Sequence, residues 1–201
     1  MERYLVLLKS FKRMPTELEQ TYRENVRCMT VRKHQIIQQP GVITDAIYFI
    51  EKGLFRLYYD RNGKTFTSGF RIEDDFIVAV EELNPDPQYA DGIEALEDGI
   101  LWCIPGSLIK DLNNDRSIQF QLQYTAIVTK ECLLTRHAAR RSVRDGGSEN
   151  YQALCKYTPR LLQRVPVSYL AEFTGMPENI FHHLHSSNIN LHLSMKRRRK
   201  R

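Results

Sequence analysis

From Cys28 to Ile104 the apolar residues fall in short runs separated by Gly, Asn, Asp and Pro. The runs are Cys28–Val31, Gln35–Gln38, Ala46–Glu51, Leu54–Tyr59, Thr65–Ile72, Phe76–Val80, Gly92–Leu96 and Ile100–Ile104. Rich in Tyr, Phe and Ile, they predict eight strands, and such strands at this spacing predict a sandwich, jelly roll or barrel. Asp60-Arg61-Asn62-Gly63, between LFRLYY and KTFTSGFRI, predicts a tight hairpin. Outside this region the period is helical. Residues 2 to about 24 predict two helical pieces broken near Pro15, with Leu5, Leu8 and Phe11 on one apolar edge. Thr16 is expected to cap the second piece, with Glu17 and Glu19 at its positive end.

The texture changes again at Pro105. Gly106 to Leu112 predicts a short helix, Asn113-Asn114-Asp115 supplies cap chemistry, and Arg116 to Arg144 runs without Gly or Pro. That long helix carries two apolar edges: Ile118, Leu122 and Thr125 with Cys132, and Phe120, Tyr124, Ile127 and Leu134. A helix apolar on two sides is buried on two sides. One edge is expected on the β unit and the other on a second copy of the chain. Gly146-Gly147 is the expected hinge, Ser148 the expected cap of a following helix, and Pro159 a break.

Val165 to Ser187, VPVSYLAEFTGMPENIFHHLHSS, predicts two short helices around a turn. Pro166 suits an opening turn, where its missing N–H costs nothing. Leu170-Ala171 form the inner face, and Gly175 supplies the φ freedom of a sharp turn. Met176, Phe181 and Leu184 are spaced to pack the second helix on the first. This is the spacing of a helix-turn-helix, although an ordinary helical hairpin also fits it.

Composition narrows the class. The chain has 201 residues and a net charge of +5, but its last six, KRRRKR, are all basic. Without them the charge is five minus six, or −1, so the cationic excess is a tail. No run is apolar enough to span a bilayer, and the start lacks a secretory signal, so a cytoplasmic protein is expected. Cys28, Cys103, Cys132 and Cys155 are scattered and suggest neither zinc nor iron–sulfur binding. His182, His183 and His185 do not share one helical face, which argues against a metal site. Only His34 lies among the strands, and no Ser/His/Asp or Cys/His spacing or phosphate-cradling Gly loop stands out. An enzyme is therefore not expected.

The order of parts resembles Crp/Fnr-type transcription regulators. AIYFIEKGLFRLYYDRNGK is similar to that family's strand–Gly–strand–hairpin passage, and GIEALEDGILWCIPGSLIKDL to its last strands and the next helix. ENYQALCKYTPRLLQRVPVSYLAEFTGMPENI is similar to its entry into a winged helix-turn-helix. The resemblance implies an α+β chain in four parts. They are a cyclic nucleotide-binding-like β roll of the jelly-roll type (1–115), a dimerisation helix (116–145), a helix-turn-helix domain (146–195) and a basic tail (196–201).

In the effector site this chain departs from the family. Relatives that bind cyclic nucleotides use a Gly-Glu pair and an Arg-Ser or Arg-Thr-Ala stretch. Here Val78 and Ala79 fall at the first, and Tyr89, followed by Ala90 and Asp91, at the second. A phosphodiester without its Arg would be left unpaired, so cyclic AMP is not the expected effector. Arg71 and Glu81 are close enough in sequence to substitute. Either the pocket takes another small molecule, lined by Phe70, Tyr89 and Tyr124, or the roll is an empty scaffold. No cofactor is expected.

The family's three base-reading positions fall at Glu178, Asn179 and His183; Ser168, His182 and His185 complete the expected DNA contacts. Asn179 suits adenine and Glu178 suits cytosine, while the His residues can donate to phosphate or guanine. The Arg that most often anchors such a helix is missing. The expected function is a bacterial, homodimeric regulator binding double-stranded DNA, with RNA polymerase as a further partner and no membrane. The alternative is a sensor or interaction module whose helix-turn-helix no longer reads DNA.

Overall fold

A computed structural model describes residues 2–11, 14–80, 86, 90–115, 118–144 and 146–186. The basic run 196–201, Glu81 and Tyr89 lie outside the described residues. The chain divides into two compact units, Met1–His137 and Ala138–Arg201.

The first unit opens with α1 (Glu2–Phe11) and α2 (Thr16–Asn25). Among the described residues eight strands follow: β1 (Arg27–Val31), β2 (Ile36–Gln38), β3 (Ala46–Lys52), β4 (Phe55–Arg61), β5 (Lys64–Arg71), β6 (Phe76–Ala79), β7 (Gly92–Ala95) and β8 (Gly99–Pro105). They make two antiparallel sheets, ordered β1-β8-β3-β6 and β2-β7-β4-β5. At the β4–β5 turn Asn62 and Gly63 both take positive φ, 56° and 74°, the geometry that matches a hairpin's twist. The Gly63 N–H donates to Asp60 Oδ1 at 3.1 Å.

Two apolar layers follow from the alternation of side chains across each strand. Between the sheets lie Tyr48, Ile50, Phe55, Leu57, Ile77, Ile93 and Leu101. On the other side of the first sheet, Ile47, Phe49, Phe76 and Ile104 meet Tyr4, Leu5 and Leu8 of α1, Tyr22 of α2 and residues of two later helices. Those are α3 (Gly106–Asn114), through Leu108, Ile109 and Leu112, and α4 (Ile118–Arg144), through Phe120 and Ile127. The Tyr22 hydroxyl reaches Gln123 Oε1 at 3.2 Å, fastening α2 to α4.

The expected cap at Thr16 is not formed. Pro15, at φ −62° and ψ 149°, takes the N-cap position and Thr16 is the first helical residue. Proline's fixed φ already places the chain for helix entry, which leaves Thr16 inside the first turn.

The second unit contains α5 (Gly147–Tyr157), α6 (Leu161–Arg164), α7 (Val167–Thr174) and a helix over 178–186, here α8. Ser148 does not cap α5, because Gly146 is its N-cap and the helix already begins at Gly147. A Cβ on Gly147 would meet Met176 Cβ at 3.1 Å, so this glycine allows α5 to pack closely on the residue after Gly175. The α7–α8 turn is made at Gly175, in the left-handed region at φ 70°. The Met176 N–H donates to Ala171 O and the Gly175 N–H to Glu172 O, the paired bonds of a Schellman ending. Leu170, Ala171, Met176 and Phe181 are buried beneath it. Asn150 of α5 donates from Nδ2 to Thr174 O at 3.1 Å, tying the turn to the helix below.

Candidate functional site

In the first unit one polar cluster joins β5 to α4. Arg71 pairs across the sheet with Phe55 and so shares its face. Its guanidinium embraces Glu131 of α4, Nε donating to Oε2 at 3.1 Å and Nη2 to Oε1. The two side chains are 7% and 17% exposed. One residue earlier on α4, Lys130 Nζ donates to Asp75 Oδ1 at 3.0 Å and to Asp74 O at 3.2 Å. Nearby, the Ser68 hydroxyl donates to Asp91 Oδ2 at 2.7 Å. Burial pushes the Asp91 carboxyl above its ordinary range; Ser68 and Arg71 oppose the shift and Glu131 adds to it.

The expected effector residues are distributed over different layers. Phe70 pairs with Arg56 and so faces away from its neighbour Arg71. Val78 and Tyr124 pack in the helix-facing layer, where Tyr124 stacks on Phe120, while Ala79 lies between the sheets. Ala90 is buried beside Asp91. The structure therefore brings together Arg71, Ser68, Asp91 and Glu131, of which Arg71 and Asp91 were expected at or beside the site and Ser68 and Glu131 were not. Glu131 sits 60 residues from Arg71. A separation of that size leaves no local pattern from which their pairing could be read.

A second buried charge pair lies on β4 and β7. Arg56 Nε donates to Thr67 Oγ1 at 2.8 Å, Nη1 approaches Glu94 Oε2 at 3.4 Å, and the guanidinium covers the Tyr58 ring at 4.9 Å. Hydrogen bonds to both members make this burial tolerable. The alternation of Arg56 between Phe55 and Leu57 is visible in sequence, but it predicts an exposed residue, not a buried one.

In the second unit, Ser168 on α7 and Glu178, Asn179, His182 and His183 on α8 are all exposed. His185 differs. Its Nδ1 lies 3.4 Å from the Tyr151 hydroxyl and its ring packs on Phe181. Burial, and then His182, lowers its pKa, which favours the neutral imidazole. Sequence reading passed over Ile180, which stands exposed between Asn179 and the buried Phe181.

The two edges of α4 have opposite environments. Phe120 and Ile127 are buried and Tyr124 and Leu134 half-buried. Ile118, Leu122, Thr125, Thr129 and Cys132 are exposed, Ile118 by 66% and Leu122 by 45%. The exposed row advances by alternate steps of four and three residues, the spacing of a coiled-coil seam.

Residues 28–115 match the family model of the cyclic nucleotide-binding domain. They form a domain of that fold. The structure is similar to FixK2 from Bradyrhizobium japonicum, with a TM-score of 0.69 and 15% identity over 83% of this chain and 85% of that one. A protein assigned to the Crp/Fnr family of regulators from Eubacterium rectale has a TM-score of 0.68 at 16% identity, over 85% and 81%. CLP, the c-di-GMP responsive global regulator of Xanthomonas campestris, has a TM-score of 0.64 at 10% identity, over 86% and 90%. Among curated proteins none matches the chain. Arg71 and Asp91, which belong to the matched residues, thus meet Glu131 of α4, which lies beyond them. Among the described residues, no helix is long and apolar enough to cross a membrane.

Proposed function

We propose that the protein is a homodimeric, DNA-binding transcription regulator of the Crp/Fnr type, working in the bacterial cytoplasm without cyclic AMP. The observation that carries the reading is the α7–α8 pair. It closes on Gly175, buries Leu170, Met176 and Phe181, and turns Ser168, Glu178, Asn179, His182 and His183 outward. A helix presented in this way over a rigid support suits the major groove, where Asn pairs with adenine and Glu with cytosine. The exposed seam of α4 supports a parallel dimer, which would place two such helices on a two-fold site. Arg71–Glu131 and Lys130–Asp75 supply a physical connection from the roll to α4. RNA polymerase fits this reading as a partner.

Against a cyclic AMP response stand Val78 and Ala79, at the positions of the family's Gly-Glu pair, and the carboxylates Asp91 and Glu131 around Arg71. A phosphodiester placed there would meet two acidic groups for one cation. The likeness in fold to a c-di-GMP responsive regulator is compatible with a sensor role for a different ligand.

The test is selection of binding sites from a random duplex library at physiological salt, with the full chain and with protein ending at Met195. A palindrome whose half-sites lie about one helical turn or a little more apart is expected. A folded dimer that enriches nothing, with or without cell extract, would overturn the reading in favour of an interaction module. The second reading rests on one observation: 178–186 contains no Arg or Lys.

A further inference from the structure

Ile180 is 48% exposed, and among the described residues of the second unit it is the one large hydrophobic side chain exposed to that degree. Its neighbour Phe181 is fully buried and packs edge-on against Tyr151, which fixes the rotation of α8 and holds Ile180 outward. The inner face is already filled by Leu170, Met176 and Phe181, so a rotation that buried Ile180 would expel one of them. An exposed β-branched residue adds nothing to a helix that Leu or Lys would not add better. It does offer a stiff apolar surface, since Ile holds essentially one χ1 rotamer in a helix.

We propose that Ile180 is a specificity residue that reads the 5-methyl group of thymine. The inference rests on the DNA-binding reading above and names what α8 selects. The major groove presents one apolar group among the base edges, the thymine methyl, and an aliphatic side chain recognises it by excluding water. Ile180 stands beside Asn179, so the same helix turn would carry one polar and one apolar base contact. Glu178 is acidic and residues 178–186 hold no Arg or Lys, so the helix adds little non-specific attraction, which makes such contacts weigh more in the choice of site.

The test uses the full chain and the duplex it selects. Each thymine is replaced in turn by deoxyuridine, which removes only the methyl group. Wild-type protein is expected to lose about fourfold in affinity at one thymine per half-site, or about fifteenfold when both half-sites are changed. Ile180→Ala should bind the thymine and deoxyuridine duplexes equally at that position, and Ile180→Val should fall between. Ile180 is exposed, so both variants should unfold at the wild-type temperature. A selected site at which no thymine shows an Ile180-dependent methyl effect would overturn this inference and leave the DNA-binding reading intact. Failure to select any site, with cell extract present as well, would overturn both.

Discussion

Asp91 sits beside Ser68, Arg71 and Glu131, and its burial makes ionisation costly. A carboxyl whose pKa is raised on folding contributes its full stability below the ordinary carboxylate range and loses it as pH rises through the folded value. Asp91→Asn keeps an oxygen for the Ser68 hydroxyl and removes the charge. The variant and wild type are expected to match in acid, with the variant more stable at neutral pH; urea unfolding across about pH 3 to 8 measures the difference. A variant that matches wild type in acid but is less stable at neutral pH would show that the carboxylate is needed ionised. At the other functional surface, Asn179→Ala is expected to reduce discrimination at one base pair by roughly 1–3 kcal/mol. Equal losses on all duplexes would mean that Asn179 touches only the backbone. Glu178 and Asn179 were legible because the family resemblance, counted from Gly175, implies base-reading positions there. Ile180 was not, because an isoleucine in a helical pattern reads as core until Phe181 is seen to occupy that place.

At the scale of elements, α4 is the member most constrained by others. Removing one partner of a buried ion pair leaves the other charge desolvated, so Glu131→Ala is expected to destabilise the first unit by roughly 3–5 kcal/mol. Asp91 lies near enough to compensate Arg71 in part, which places the loss toward the lower end. The double change Arg71→Met, Glu131→Leu should recover most of it, and thermal unfolding compares the three. The exposed edge of α4 has a separate consequence. If two copies pack in parallel along Ile118, Leu122, Thr125, Thr129 and Cys132, each seam residue meets its own counterpart. Mild oxidation should then produce a reducible dimer through Cys132, abolished by Cys132→Ser and unaffected by Cys155→Ser. A dimer by light scattering that never cross-links would place its seam elsewhere. Both edges could be read from the sequence, since 3.6-residue periodicity needs no tertiary information. Which edge the roll covers could not, because that depends on where Ile47, Phe49 and Phe76 lie across the first sheet.

For the whole molecule, charge is distributed unevenly: a body of −1 and six cations at the end. Deleting Lys196 to Arg201 is expected to weaken binding to every duplex alike and to flatten the dependence of log affinity on log salt, since each lost phosphate contact releases fewer counterions. A change in which sequence is preferred would instead assign the tail a reading role. The eight strands, the Asn62-Gly63 hairpin, the long helix and the Gly175 turn were determined by the sequence alone. Each depends on local rules: alternation for strands, helical period for α4, and positive φ at Gly63 and Gly175. Tertiary structure alone decided the pairing order of the two sheets, the burial of Arg56 with Glu94, and the meeting of Arg71 with Glu131. These join residues far apart in the chain, and their energies depend on desolvation and on distance in space, neither of which is encoded in any short run of residues.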